Sequence, residues 1–292
     1  MNTALQLIIA GLAVGSIYGL IALGFLIIHH ATGIVNFAQG NMLMVGAVTS
    51  YLVVSQFGLS YFVAIPVVVV VAVLVALVFD HGLVRPLQRR GAPVYSIVVG
   101  TLVFGIILAE LAALIAGDQQ RGVPPLVPND PISLAGLSVR PQTLLSVLVA
   151  WAIVVGVWFF FNRTLSGLSL KAVGLNRTGA EVTGIRVPRM LTIAFIVSIV
   201  ITCIGGLLIA PILGAGPRMG LELGVKGFAA AVLGGFDSVN KAMIAGVALG
   251  ILETLTAYYL SSAYASAIAY AVLLVALCIQ PLRVQIMSRR TA

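Results

Sequence analysis

Long apolar stretches separated by short polar breaks make up almost the whole of this chain. No Asp, Glu, Lys or Arg occurs from Met1 to Phe79, and similar stretches recur as far as residue 282. A helix needs about 20 apolar residues to cross the roughly 30 Å hydrocarbon core of a bilayer. The pattern therefore predicts eight or nine membrane-spanning helices, of which the seventh is the weakest because it contains Glu222, Lys226 and several glycines. The predicted spans are 4–28, 40–57, 60–82, 93–116, 141–162, 190–213, 219–236, 242–260 and 265–282.

Composition supports the same fold class. Of the 292 residues 61% are hydrophobic and 8% charged, whereas soluble domains carry about a quarter charged residues. No polar block is long enough for a separate soluble domain, so residues 1–292 are expected to form a single transmembrane domain, an all-α polytopic membrane protein. The sequence contains no G-x-x-x-x-G-K-[ST], H-E-x-x-H, C-x-x-C or G-x-S-x-G motif, so we expect neither an enzyme nor an ATPase in this chain.

The charge distribution predicts the orientation of the chain. The formal net charge is +8, from 16 basic and 8 acidic residues. Twelve basic residues fall on one side of a nine-span alternation, which places that side in the cytoplasm, the C-terminus inside and the N-terminus outside. The twelve are Arg85, Arg89, Arg90, Arg163, Lys171, Arg177, Arg186, Arg189, Lys241, Arg283, Arg289 and Arg290. They form separate clusters at helix ends, which argues against a nucleic-acid partner.

Two loops stand out on opposite sides of the membrane. The outer loop, about 117–140, contains four prolines and is predicted to be ordered but not helical. The inner loop, about 163–189, has helix-compatible segments between glycine and proline breakers. A short cytoplasmic helix is the first interpretation of the inner loop, and a basic connector at the lipid headgroups is the second.

Two breaks within apolar sequence are candidates for a translocation pathway. The first, 33–40, contains the amides of Asn36 and Gln39 beside Phe37 and Gly40; the second, 205–220, is rich in glycine and includes Gly216. Irregular backbone at membrane depth cannot face lipid, so such breaks line cavities in transporters. A tight interfacial turn is the alternative interpretation of the first break.

Two carboxylates fall inside predicted spans. Glu253 lies deep in its span and must meet a wet cavity or a donor on a neighbouring helix, so a pathway role and a helix-packing role remain open. Glu110 lies near the outer interface, where a long side chain can reach water. A proton-coupled carrier would require a relay of such groups.

The motifs, taken in order, resemble the permease subunits of branched-chain amino acid ABC importers. The matching segments are GSIYGLIALG at 15–24, NFAQG at 36–40, RPL at 85–87, AEVTGI at 180–185, KGFAAAVLGG at 226–235, AMIAG at 242–246 and GILE at 250–253. The resemblance covers nearly the whole chain. It departs from the family pattern at Lys241, where a glycine is usual, and around residues 174–180.

The resemblance implies an ABC importer permease fold in the bacterial cytoplasmic (inner) membrane. It implies four kinds of partner besides the bilayer: a second homologous permease, two cytoplasmic ATPases and an external solute-binding protein, with ATP and Mg bound by the ATPases and no cofactor in this chain. The solute would be a branched-chain amino acid, or urea, an amide or an aromatic acid. A stand-alone secondary carrier or channel is the alternative function. The expected substrate-pathway residues are Asn36, Phe37, Gln39, Gly40, Gly216 and Glu253, and the expected ATPase-coupling residues are Arg177, Ala180, Glu181, Gly184 and Ile185.

Overall fold

The computed structural model describes residues 2–127, 130–134, 137–236 and 238–290. Pro128 of the predicted outer loop lies outside these residues, as does Asp237, which follows the matched segment 226–235. Twelve α-helices occur in the described residues. They are α1 (Asn2–Thr32), α2 (Gln39–Tyr51), α3 (Tyr61–Val78), α4 (Arg85–Arg89), α5 (Val94–Ala116), α6 (Pro141–Arg163), α7 (Leu165–Leu175), α8 (Arg177–Val182), α9 (Val187–Leu213), α10 (Met219–Leu233), α11 (Val239–Tyr259) and α12 (Ser262–Arg290).

The fold is that of an all-α polytopic membrane protein, as predicted, but fewer helices are long enough to span a bilayer. Among the described residues six helices are long enough and apolar enough to cross a membrane, whereas the sequence predicted eight or nine. They are Ala4–Thr32, Tyr61–Arg89, Val94–Ala116, Pro141–Arg163, Val187–Leu213 and Val239–Tyr259. Glycine-containing breaks shorten two of the other three predicted spans: α10 has 15 residues, and α2 has 13 before a π-helical turn at Leu52–Gln56. The last predicted span, 265–282, lies within α12, whose apolar part among the described residues is Tyr264–Cys278.

Helix α1 is the centre of the bundle. In the apolar 18-residue segment of α1, 89% of the residues are buried, against 22% in the corresponding segments of α5 and α6. It packs against α11, α9, α10 and α6. A helix that is apolar on all sides must be surrounded by protein or lipid, and the burial shows that α1 is surrounded by protein. The outer faces of α5 and α6 are left for lipid or another subunit.

Small residues let α1 and α11 pack closely. A Cβ atom on Gly15 would lie 2.6 Å from Cα of Val247, and one on Gly11 would lie 2.6 Å from Cα of Ile251. These neighbours are backbone atoms, which cannot yield as a flexible side chain can. The glycines of α1 and those of α11, Gly246 and Gly250, therefore form one close interface within the chain.

The outer and inner loops differ in structure. In the outer loop, β1 (Ile132–Leu134) pairs antiparallel with β2 (Leu137–Val139). The inner loop holds two short helices, α7 and α8, where the Asn176 side chain caps α8 by accepting a hydrogen bond from the Gly179 N–H at 2.9 Å. Each loop thus contains regular structure with its own local hydrogen bonds.

Candidate translocation and coupling sites

The first break lies at membrane depth. Helix α1 ends at Thr32, and Gly33, at φ 72°, donates its N–H to the His29 carbonyl at 2.7 Å. At the other end of the break the Gln39 side chain reaches Ser198. Ser198 lies 11 residues into α9, about 17 Å along that helix at 1.5 Å per residue. Such a depth is below the interface, so the polar groups of the break must be satisfied by protein.

The two amides of the break bind each other and α9. The Asn36 amide nitrogen donates to Gln39 Oε1 at 3.1 Å. The Gln39 amide nitrogen donates to the hydroxyls of Ser198 at 3.0 Å and Thr202 at 2.6 Å, and Ser198 in turn donates to the Gly24 carbonyl at 2.9 Å. Asn36 and Gln39 are fully buried, so within the described part of this chain they join helices and do not face open space.

Phe37 and Gly40 connect this break to other helices. The Phe37 N–H donates to the Thr101 hydroxyl of α5 at 3.0 Å, and the Phe37 ring is 42% exposed with its centroid 5.6 Å from that of Phe228. Gly40 lies against Gly224 of α10, where an added Cβ would sit 2.9 Å from the Gly224 nitrogen. The first break therefore contacts the helix that follows the second.

The second break is tied to the outer loop. Helix α9 ends at Gly214, at φ 86°. The neighbouring Ala215 exchanges two backbone hydrogen bonds with Arg121 of the outer loop, at 2.7 and 2.8 Å. Gly216 lies against Gln120, whose Cα would be 3.1 Å from an added Cβ, and Gln120 donates to the Leu213 carbonyl. Gly216 is thus at the outer end of the bundle, beside Gln120.

Three charged residues meet between α1, α10 and α11; we call them, with Tyr18, the charge cluster. Lys226 Nζ lies 2.6 Å from Glu253 Oε1 and 2.9 Å from Glu222 Oε1. The Tyr18 hydroxyl donates to Glu253 Oε2 at 2.7 Å. The Lys226 side chain is 3% exposed, that of Glu253 15%, and that of Glu222 54%. Glu253 therefore finds its partner on a neighbouring helix.

Sequence reasoning placed Glu253 among the pathway candidates and missed its partners. From the sequence, Lys226 and Glu222 weakened the seventh span and Lys226 began the matched segment KGFAAAVLGG, but neither was predicted to pair with Glu253. Their i, i+4 spacing, which places both on one helix face, was the signal available. The contact between Lys226 and Glu253 depends on how α10 packs against α11, which no local pattern reveals.

A cavity of about 380 Å³ adjoins the charge cluster; we call it the outer-side cavity. Its lining includes Gln120 of the outer loop and Leu213 at the outer end of α9. The rest of the lining comes from α1, α10, α11 and α12. It combines apolar side chains, such as Val14, Met219 and Leu223, with the polar groups of the charge cluster, and apolar atoms make up the larger part of the surface. A mostly apolar space with a few convergent polar groups is typical of small-molecule sites. Of the pathway residues expected from sequence, Glu253 lines this cavity and Gly216 lies next to it.

A second ion pair lies on the side of the inner loop. Asp80, which is buried, accepts from the Thr192 hydroxyl at 2.7 Å and lies 3.0 Å from Arg85 Nε. Arg85 also donates to the Pro188 carbonyl at 2.9 Å and to Thr192. The arginine of the Arg85-Pro86-Leu87 motif thus holds the end of α3 against the start of α9, directly after the inner loop.

The expected coupling residues share one exposed segment. Arg177 donates to the Thr32 carbonyl at 2.9 Å, which joins α8 to the end of α1. Ala180 is buried, Glu181 and Gly184 are exposed, and Ile185 is partly buried. Gly184 adopts φ 85° with no atom within 4 Å of an added Cβ, so a side chain there is opposed by backbone conformation and not by space.

Metal ligation has no support among the residues that the structure describes, since no three His, Cys, Asp or Glu side chains form a group suited to an ion. Cys203 is buried and Cys278 exposed, and both are free thiols.

Comparisons with known proteins agree with the fold. The family described as the permease component of branched-chain amino acid transport systems matches residues 7–277. The high-affinity branched-chain amino acid transport permease BraD of Pseudomonas aeruginosa is 25% identical over 95% of this chain and 94% of its own. The corresponding LivH of Escherichia coli is 26% identical over the same shares.

An archaeal relative extends this range. The probable branched-chain amino acid permease LivH of Methanocaldococcus jannaschii is 29% identical over 84% of this chain and 78% of its own. The six apolar helices and these relatives make the chain a multi-pass protein of the inner membrane. The chain belongs to the family of permease components of branched-chain amino acid transport systems.

Proposed function

We propose that this chain is one membrane half of an ATP-driven importer for branched-chain amino acids. The other half would be a second homologous permease, two cytoplasmic ATPases would bind ATP and Mg, and an external solute-binding protein would deliver the solute. The chain itself would catalyse no reaction. The names of the relatives support the solute class; a related small polar solute such as urea, an amide or an aromatic acid would fit the same fold.

The observation that carries this proposal is the exposed apolar surface of the inner loop. Leu175 is 89% exposed and Val182 84% exposed, and basic residues flank both in the sequence. Large apolar side chains exposed on an otherwise polar loop are candidates for a protein contact surface. A cytoplasmic ATPase is the partner that would cover them, with Glu181, Gly184 and Ile185 in the same contact.

Arg177 and Arg85 would connect this contact surface to the membrane helices. Arg177 bonds the end of α1, and Arg85 with Asp80 bonds the start of α9. Closure of the ATPases would push the inner loop as a rigid body, and both helices would move with it. The Asn36–Gln39 pair, bonded to α9, would carry that movement to the first break, while Phe37, Gly40, Gly216 and Glu253 border the path of the solute.

The test is purification of the tagged chain in mild detergent, followed by mass spectrometry of the bound proteins and an ATPase assay. We expect a second permease and an ATPase to copurify. The Gly184→Leu variant should lower solute-stimulated ATP hydrolysis several-fold while membrane insertion is retained, because Leu resists the positive φ of that turn. Recovery of the chain without an ATPase would contradict the proposal.

Gly91→Leu is the matched control. Gly91 also lies in a predicted cytoplasmic loop, at φ 65° and with no atom within 4 Å of an added Cβ. Its substitution imposes the same local strain away from the inner loop. Unchanged coupling in Gly184→Leu, or equal loss in both variants, would remove the inner loop from the mechanism.

A further inference from the structure

The charge cluster carries one more negative than positive charge. Lys226 supplies one ammonium, and Glu222 and Glu253 supply two carboxylates. Charges within the membrane are costly, and each must be paired or must face a wet cavity. The excess negative charge lies at the wall of the outer-side cavity, which Glu222, Lys226 and Glu253 all line.

Lys226 cannot offer its charge to a solute. Its ammonium contacts both carboxylates and lies 5.9 Å from the centroid of the Tyr18 ring. The side chain is 3% exposed. An anion could reach Lys226 only by displacing a carboxylate that is already bonded to it, so the cavity does not select anions.

Glu253 is also committed. One of its oxygens accepts from Lys226 and the other from the Tyr18 hydroxyl. Each of its carboxylate oxygens therefore already has a donor, on α10 or on α1, and the side chain is only 15% exposed. The role of Glu253 is to fix the position of Lys226.

Glu222 is the open member of the cluster. Its side chain is 54% exposed, and the hydrogen bonds from Lys226 at 2.9 Å and Ser266 at 3.4 Å both reach Oε1. Among the described residues no donor contacts Oε2. An ionised carboxylate has about four acceptor positions, so Glu222 can accept further hydrogen bonds from a cationic group in the cavity.

We infer that the outer-side cavity binds the ammonium group of an aliphatic amine or α-amino acid at the Glu222 carboxylate. Val14, Met219 and Ala257 supply an apolar wall for the aliphatic part. The volume of about 380 Å³ lies at the low end of the range of about 300–1,000 Å³ for small-molecule sites. This inference rests on the proposed function for the route by which the solute arrives, but binding itself requires no partner.

The test measures thermal unfolding of the purified chain in detergent with four probes. The probes are isopentylammonium chloride, L-leucine, sodium 4-methylpentanoate and sodium chloride at matched ionic strength. A ligand that binds the folded state raises the unfolding temperature in proportion to its occupancy. We expect the amine to give the largest rise, leucine a smaller one because of its carboxylate, and the two sodium salts none.

Glu222 variants locate the site. Glu222→Gln should weaken amine binding by about tenfold or more, since a charge-assisted bond becomes a neutral one, and Glu222→Asp should retain part of it. Each shift is measured against the unfolding temperature of the same variant without ligand, so an altered stability does not obscure the result. Glu110→Gln, which changes an exposed carboxylate of α5 away from the cavity, is the control and should bind as the unaltered chain does.

Three outcomes would overturn the inference: protection by 4-methylpentanoate equal to that by the amine, equal protection by sodium chloride alone, or full amine binding by Glu222→Gln. Failure here is separate from failure of the proposed function. Loss of the amine site with ATP-driven uptake intact would leave the importer standing. Amine binding in a chain that takes up solute without ATP would support the amine site and contradict the proposed importer function.

Discussion

The two breaks in the apolar sequence both contain glycines, but they differ in structure. In the first, Asn36 and Gln39 are buried and bonded to each other and to α9. In the second, Gly214 ends α9, and the backbone of the next residues pairs with the outer loop. The first break connects helices inside the bundle through side-chain hydrogen bonds, whereas the second borders the outer-side cavity.

The difference shows that a break at membrane depth can be satisfied in two ways. Irregular backbone needs either protein partners or a wet cavity. Hydroxyls of Ser198, Thr202 and Thr101 supply partners for the first break. The second has a charged helix, α10, directly after it, and the charge of Lys226 and Glu222 keeps that region polar.

The largest expected effect is at the charge cluster. Lys226→Met leaves Glu253, whose side chain is only 15% exposed, without its counter-charge and should lower the free energy of unfolding by about 3–5 kcal/mol. The double variant Lys226→Met with Glu253→Gln should recover part of that loss, since the uncompensated charge is gone. Thermal unfolding in detergent measures both; a double variant less stable than Lys226→Met would contradict an ion pair as the cause.

Gly40 joins the two breaks, and Gly40→Val should separate them. The added side chain meets the backbone of Gly220 and Gly224, which cannot move without shifting α10. We expect a loss of about 3 kcal/mol in the free energy of unfolding and a lower folded yield on size exclusion. Gly156→Val of α6, where no atom lies within 4 Å of an added Cβ, is the control; equal losses would refute the close approach.

Loss of the Gln39 amide should destabilise the first break. Gln39→Leu removes two donated hydrogen bonds and leaves the Asn36 amide without its acceptor, which should cost about 2–3 kcal/mol of unfolding free energy. The exposed Gln56→Leu should change it by less than about 0.5 kcal/mol. Matching thermal unfolding curves for the two variants would show that the amides of the first break do not stabilise it.

The smallest effect is expected at the second break. An added Cβ at Gly216 would lie 3.1 Å from Cα of Gln120, a contact that a shift of a few tenths of an ångström relieves. Gly216→Ala should therefore cost about 1 kcal/mol or less of unfolding free energy. A loss of unfolding free energy equal to that of Gln39→Leu would mean that the second break stabilises the bundle as strongly as the first.

The sequence predicted what depends on local pattern. Apolar runs identified the membrane class and the six long helices, because hydropathy over 20 residues needs no knowledge of neighbours. The lengths of α2 and α10 were overestimated. Their starting points are set by distant contacts, such as Gln39 with Ser198 and Gly40 with Gly224, which hydropathy does not contain.

The candidate sites divide in the same way. Arg177 and Gly184 could be selected from the motif and the loop, and both lie in the exposed inner loop. The bond from Arg177 to the end of α1, and the pairing of Lys226 with Glu253, join residues 145 and 27 positions apart. Only the packing of helices brings such residues together.

The most direct test of the account compares two energy sources for uptake. The chain with its copurified partners is reconstituted in proteoliposomes, with solute-binding protein and labelled leucine outside and either ATP inside or an imposed proton gradient. We predict uptake with ATP and none with the gradient. Gradient-driven uptake by the chain alone, lost in Glu253→Gln, would contradict the account and make the chain a secondary carrier.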